Sequence, residues 1–376
     1  MALFVFSLGW FWEFLLRHRV VLRFVTNIAQ SLPANYKEEI HEWLRFNRQN
    51  RILTLLLQLP FDQPPSPLSL HLICNYDQGR IPLNRICNVD ETPLSWEYLI
   101  ERTYDLQGAK TIWSKSTESG SEKPQCTLFL CIFADEVPWV PPILIFTVSS
   151  GTRIQQRESH PWNKRVHVEF SPTGWMNKNL LTKLILQYLV PIFGSHRALF
   201  IFNQFHAHLT FQVLQTCRES NIIPSLIQAG TTPMTQPLDI ALNKPFKGLI
   251  KEFTEEIREK KEDLEDIEKW TVSQHRVVTT EAVGRAWDKW HQSDSQRKVI
   301  IQSFRSSGIS LPIDGSSDSE LSIKGFAPGE LRVGDWAHSE AAGKSGFGTS
   351  ENENTELLPS DPIAEDEACE FTLIDE

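Results

Sequence analysis

Two runs of consecutive apolar residues constrain this chain most: Cys126–Phe133 (CTLFLCIF) and Leu199–Phe202 (LFIF). A strand with one face in water alternates apolar and polar residues. A strand that does not alternate must be covered on both faces. Segments of helical periodicity lie between these runs and the shorter strand-like stretches Arg85–Val89, Pro142–Thr147, Val166–Phe170 and Ile222–Leu226. The helical segments are Trp175–Leu189, His208–Ser220 and the charged stretch from Gln236-Pro237 to Trp270. The pattern predicts an α/β fold, a sheet held between helix layers, over residues 83–310.

Three further regions flank this one. Residues 1–57 read as helical, with Tyr36, Ile40, Trp43 and Leu44 on one face and Ser31 as a cap. Residues 58–82 are proline-rich and read as a linker. Residues 311–376 are rich in Gly, Ser, Asp and Glu and read as a disordered acidic tail. The tail explains the net charge of -10: it holds 16 acidic and 3 basic residues, leaving 31 acidic and 34 basic in residues 1–310. The folded part is mildly basic, which permits contact with phosphate without demanding it.

Several classes of function are disfavoured. The six cysteines form no C-x-x-C pair and have no histidines at zinc spacing, so neither a zinc site nor a disulfide framework is expected. The apolar opening Ala2–Leu16 is short for a membrane span and interrupted by Glu13. Arg17, His18 and Arg19 follow where a signal peptide would place small residues. An amphipathic helix is the better reading of that segment, and no membrane association is expected.

Three polar residues stand where strands or turns are expected to end, the usual position of ligand-binding groups in α/β folds. Asp90 follows RICNV, Asn203 follows LFIF, and Asp239 follows GTTPMTQPL and opens a helix. Converging carboxylates at such positions hold divalent cations through hard oxygen ligands. By spacing alone, Asp239 reads equally well as a helix cap and Asp90 as a turn cap.

The wording around these positions carries more. Asn88–Thr92 (NVDET), the Pro-Pro segment within Ala134–Phe146, Gly174–Asn177 (GWMN) and Gln236–Asp239 (QPLD) occur in this order. Together they resemble the DDE endonuclease core of the pogo/Tigger transposases, the group that includes centromere protein B and jerky-like proteins; the fungal pogo-like elements are especially similar. The resemblance implies a ribonuclease-H-like mixed sheet flanked by helices, a DNA partner, a nuclear location and a Mg2+ or Mn2+ cofactor. It also implies a metal-binding triad at Asp90, Asn203 and Asp239, with asparagine where the family has aspartate.

Two registers are open for the middle position. Asn203 at the aspartate brings His208 to the family histidine; the other register places Phe202 at the aspartate and Ala207 at the histidine. The first keeps more of the pattern. Asparagine offers one neutral carbonyl oxygen, and its NH2 group is repelled by a cation. Weak or single-metal occupancy is expected, and with it an ancestral Mg2+-dependent endonuclease that is weak or inactive.

Upstream, Gly9–Arg19 (GWFWEFLLRHR) resembles the closing helix of the family's second helix-turn-helix. Most of that bipartite region is not in this sequence, so sequence-specific reading of DNA is not expected. Lys244, Lys247 and Lys251, at i, i+3 and i+7, form a candidate phosphate-facing stripe, with His208 as a further nucleic-acid candidate. The acidic tail is a candidate protein contact. A non-catalytic, domesticated module that docks DNA or protein is the competing expectation.

Overall fold

The computed structural model describes residues 32–50, 81–96, 126–148, 152–204, 209–262, 269–327 and 329–331, together with Arg17. The helix-turn-helix remnant apart from Arg17, most of the proline-rich linker, His208 and the tail from residue 332 lie outside the described residues.

Six strands form one sheet among the described residues: β1 (Ile86–Leu94), β2 (Cys126–Phe133), β3 (Ile143–Thr147), β4 (His167–Ser171), β5 (Ala198–Phe202) and β6 (Ile222–Leu226). Their order is β4-β3-β2-β1-β5-β6. β1, β2 and β3 run antiparallel, β4 is parallel to β3, and β5 and β6 are parallel to β1. An antiparallel meander joined at its first strand to two parallel strands is the ribonuclease-H-like arrangement that the resemblance implies.

The helices that cover the sheet are α1 (Tyr36–Asn50), α2 (Thr152–Glu158), α3 (Lys178–Leu184), α4 (Phe211–Glu219), α5 (Asn243–Glu262), α6 (Val272–Gln292) and α7 (Asp294–Ser306). α3 continues through a π turn, Ile185–Leu189, into Val190–Phe193, and another π turn, Leu238–Leu242, leads into α5. All eight residues of β2 and all five of β5 are buried. Two separate cores explain why. Leu128, Leu130, Leu199 and Ile201 pack with side chains of α1, α5, α6 and α7, whereas Phe129, Cys131, Phe200 and Phe202 pack with α3 and α4. Trp287 and Trp290 lie in the first core, as core residues rather than surface platforms.

The GWMN motif is a piece of this scaffold. Gly174 has φ +72°, and a Cβ there would lie 2.3 Å from Thr147 Oγ1, so the turn after β4 requires glycine. Its carbonyl accepts from Thr127 Oγ1 at 2.7 Å. Asn177 then caps α3, its Oδ1 accepting from the Leu180 amide at 3.0 Å.

Two expectations change. The run that ends in Val89 does not stop at Asp90: β1 continues to Leu94, because β2 pairs with it along its length while β5 pairs only over Ile86–Asn88. The folded part also extends beyond residue 310. Leu311, Ile323 and Leu331 are buried, Phe326 packs edge-on against Tyr36, and Lys37 pairs with Glu330 at 2.6 Å. Composition marks this stretch as polar, but a few apolar anchors and ion pairs fix it against α1. Helix α1 is itself integral to the domain: Trp43 Nε1 donates to Ser225 Oγ on β6 at 3.0 Å, and that hydroxyl donates to Asn47 Oδ1 at 2.5 Å.

Arg48 on α1 is fully buried and meets the carboxylate of Asp318 at 2.6 Å. Removing one charge of a buried pair is far more costly than removing a surface charge. Asp318→Asn is expected to lower the unfolding free energy by roughly 3 kcal/mol, read from the urea midpoint. A shift near zero would show that residues after 310 are not part of the cooperative unit.

Candidate active site

The candidate site lies where the parallel pairing of β1 with β5 ends. The register pairs Asn88 with Ile201, so two residues on, Asp90 stands beside Asn203. Asp90 is 7% exposed, and its side chain leaves the sheet on the same face as Ile86, towards α5. Asn203 follows β5, and its Nδ2 lies 3.3 Å from Asp90 Oδ1, to which it donates. Phe202 is fully buried in the opposite core, its ring 4.9 Å from that of Phe200. Of the two residues that the sequence leaves open, it is Asn203 that neighbours Asp90.

Asp239 arrives on the π turn before α5. The turn is capped by Pro237 with no side-chain cap, so Asp239 does not serve as the cap that spacing alone allows. Single π turns recur at functional sites because they redirect side chains locally. Asn88 holds this turn in place. Fully buried on β1, it donates from Nδ2 to the Ile201 carbonyl at 3.0 Å, and its Oδ1 accepts from the Leu238 amide at 3.0 Å.

Asn243, four residues after Asp239, closes the group. Its Nδ2 donates to Asp90 Oδ2 at 2.6 Å and to Asp239 Oδ1 at 2.9 Å. The candidates Asp90, Asn203 and Asp239 therefore converge, and Asn243 joins them. Sequence reasoning missed both Asn88 and Asn243. Each is visible there only as a short polar residue in or beside a quoted motif, and their roles depend on elements far away in the chain.

Burial first, then the neighbouring charges of Asp239 and Glu91, push the Asp90 carboxyl from its ordinary 3.8 up to about 7, against the pull of Gln236 and Asn243. Asp239 is also raised, mainly by burial. The half-buried Lys247 ammonium is disfavoured by burial and favoured by these two carboxylates. Of the lysine stripe, Lys247 is thus drawn towards the acids while Lys244 stays exposed.

Among the described residues, no group of three or more His, Cys, Asp or Glu could hold a metal ion. Two carboxylates and two carboxamides meet here instead. One observation favours a cation: Asn243 Oδ1 is buried and accepts no hydrogen bond. An orphaned carbonyl oxygen beside two carboxylates suits a single hard ion.

Because Asp90 binds its proton more tightly in the folded protein, folding is favoured most below pH 4. That advantage is lost as pH rises through about 7, where the buried charge must form. The metal-free melting temperature is expected to fall between pH 5 and pH 8. Asp90→Asn should flatten the profile and melt higher than the unmodified chain at pH 8. Parallel profiles would contradict this assignment.

The DDE superfamily endonuclease profile matches residues 123–302, a span that contains Asn203 and Asp239. The human pogo transposable element with KRAB domain is 25% identical over 248 residues, 65% of this chain and 35% of that protein. The mouse protein of the same description is 23% identical over 307 residues, 77% of this chain and 47% of that protein. The chain spans between about a third and half of the length of these two relatives. The Mos1 transposase paired-end complex with left transposon end is similar at 13% identity and TM-score 0.36, covering 74% of this chain and 68% of that one. The Mos1 mariner paired end complex with Mn gives 13% identity and TM-score 0.37, covering 77% and 71%. The endonuclease profile and the pogo relatives support the resemblance of this chain to the pogo-type DDE superfamily transposases.

Proposed function

We propose that this chain is a catalytically impaired DDE endonuclease that associates with DNA in the nucleus through phosphate contacts rather than base reading. The observation that supports this reading is the 3.3 Å approach of Asn203 Nδ2 to Asp90 Oδ1, which sets an amide beside Asp90, where the resemblance leads one to expect a carboxylate. Asp90 and Asp239 would hold a divalent ion, Mg2+ or Mn2+, with Asn203 contributing at most a neutral oxygen. Such an ion supplies activation of the attacking water or hydroxyl and stabilises the leaving oxygen.

The protein's part in that chemistry is electrostatic. Three carboxylates offset most of the charge of two divalent ions, whereas two carboxylates leave a second ion poorly neutralised. Asp90, whose proton is held more tightly because of burial and the charge of Asp239, must also release it to serve as a ligand. Lys244, Lys247 and Lys251 lie on the α5 face that carries Asn243 and would meet the DNA backbone. This association is expected to weaken steeply with salt, as counterion release requires.

A second reading is a non-catalytic DNA-associated or protein-docking module, with the acidic tail as a partner contact. It is favoured by the bridging of both carboxylates by Asn243, which satisfies the cluster without an ion. No helix among the described residues is long and apolar enough to cross a membrane.

Incubation of the purified chain with Mg2+ or Mn2+ and a labelled duplex tests the proposal. Nicking near background is expected, with a gain of about a hundredfold in Asn203→Asp, the scale of a lost metal contact. Robust nicking by the unmodified chain would overturn the impairment. Filter binding across a salt series tests the other half: retention that does not fall with salt would exclude phosphate-driven association.

A further inference from the structure

Asn243 does two unusual things at once. Its amide nitrogen places both hydrogens on separate carboxylates, Asp90 Oδ2 at 2.6 Å and Asp239 Oδ1 at 2.9 Å. Its carbonyl oxygen is buried and unsatisfied. Leaving a buried acceptor unpaired costs free energy that folding normally avoids. The arrangement is sensible if the two ends of the carboxamide serve two states of the site.

The nitrogen and oxygen of a carboxamide have nearly the same shape and opposite electrostatic sense. The torsion that exchanges them is soft, because a terminal sp³–sp² bond has broad wells rather than sharp rotamers. With no cation present, the nitrogen faces the carboxylates and donates to both, whereas an oxygen there would be repelled by each carboxylate that is ionised. A divalent ion between Asp90 and Asp239 reverses that preference: it repels the NH2 group and attracts the oxygen. Asn243 sits at the junction of the π turn and α5, four residues beyond Asp239, so the two side chains share one helical face.

We propose that Asn243 is a cation-gated carboxamide, clasping Asp90 and Asp239 through its NH2 group without metal and supplying Oδ1 as a ligand when metal enters. The inference rests on the reading of Asp90, Asn203 and Asp239 as a metal site, and adds to it a fourth oxygen donor and an internal competitor. The clasp must open before an ion is held, so the native amide weakens metal binding.

The test uses the full chain and two readouts other than activity. Free Mn2+ is measured by electron paramagnetic resonance in titrations of the unmodified protein, Asn243→Asp and Asp239→Asn. The side-chain NH2 resonances of 15N-asparagine-labelled protein are followed on addition of Mg2+, the Asn243 pair being assigned by its loss in Asn243→Asp. Asn243→Asp has no clasp and one more carboxylate, and should bind Mn2+ at least about tenfold more tightly, while Asp239→Asn should bind more weakly. In unmodified protein the Asn243 NH2 pair should lose its hydrogen-bonded shifts as Mg2+ saturates. If Asp239→Asn weakens binding but the Asn243 resonances do not move with Mg2+, the gate is wrong and the metal site stands. The gate is equally wrong if Asn243→Asp binds no more tightly than the unmodified protein. If Mn2+ binding is absent, or indifferent to Asp239→Asn, the metal-site reading fails and the gate fails with it. Should Asn243→Asp not fold, the response of the unmodified protein to Mg2+ decides the question, its NH2 pair then assigned through its proximity to Asp239.

Discussion

The carboxamide of Asn88 is the interaction on which the geometry of this site depends. It is buried in a strand where an apolar residue would pack as well, and it spends its groups on two other elements: the Ile201 carbonyl on β5 and the Leu238 amide at the start of the π turn. A buried polar group of this kind is stabilising only while every partner is in place, so it specifies one arrangement of β1, β5 and the α5 helix. Asp90 lies two residues along from Asn88, Asn203 two residues beyond Ile201, and Asp239 directly follows Leu238. The three candidate positions are therefore fixed by a residue that is not one of them.

The same framework explains why Asp90 is a poor carboxylate in the absence of metal. The sheet places it at the rim of a core that is apolar on both sides, where a charge is costly. Asn203, Asn243 and Gln236 soften that cost through dipoles without supplying a counter-charge. In a site with three acids the cation would do this work. Here neutral amides replace part of it, and on the proposed reading they compete with a bound ion. On the proposed reading, an asparagine at the remaining acid position and the satisfaction of Asp90 and Asp239 by Asn243 both weaken metal binding.

Much of the fold is legible in the sequence because its signals are local. CTLFLCIF and LFIF demand cover on both faces, and the two cores supply it. The GWMN turn needs glycine at a positive φ, and QPLD opens a helix. What is not legible comes from pairing at a distance. The continuation of β1 through Asp90 depends on β2, more than thirty residues later in the chain. The packing of residues 311–331 depends on α1, for which composition gives no hint. Asn203 is reached from sequence through a family pattern and a histidine outside the described residues, yet the register of β1 against β5 brings it beside Asp90 without that histidine. The role of Asn243 is not legible in the sequence, since it exists only once Asp90 and Asp239 meet.

On the proposed reading this site accommodates one divalent ion and not two. Crystals grown with Mn2+ and measured at the manganese absorption edge test it directly through anomalous difference density. A single peak is predicted between Asp90 and Asp239, and a second peak, beside Asn203, only in Asn203→Asp. Two peaks in the unmodified protein would contradict the claim, because that pair of ions would then need no third carboxylate.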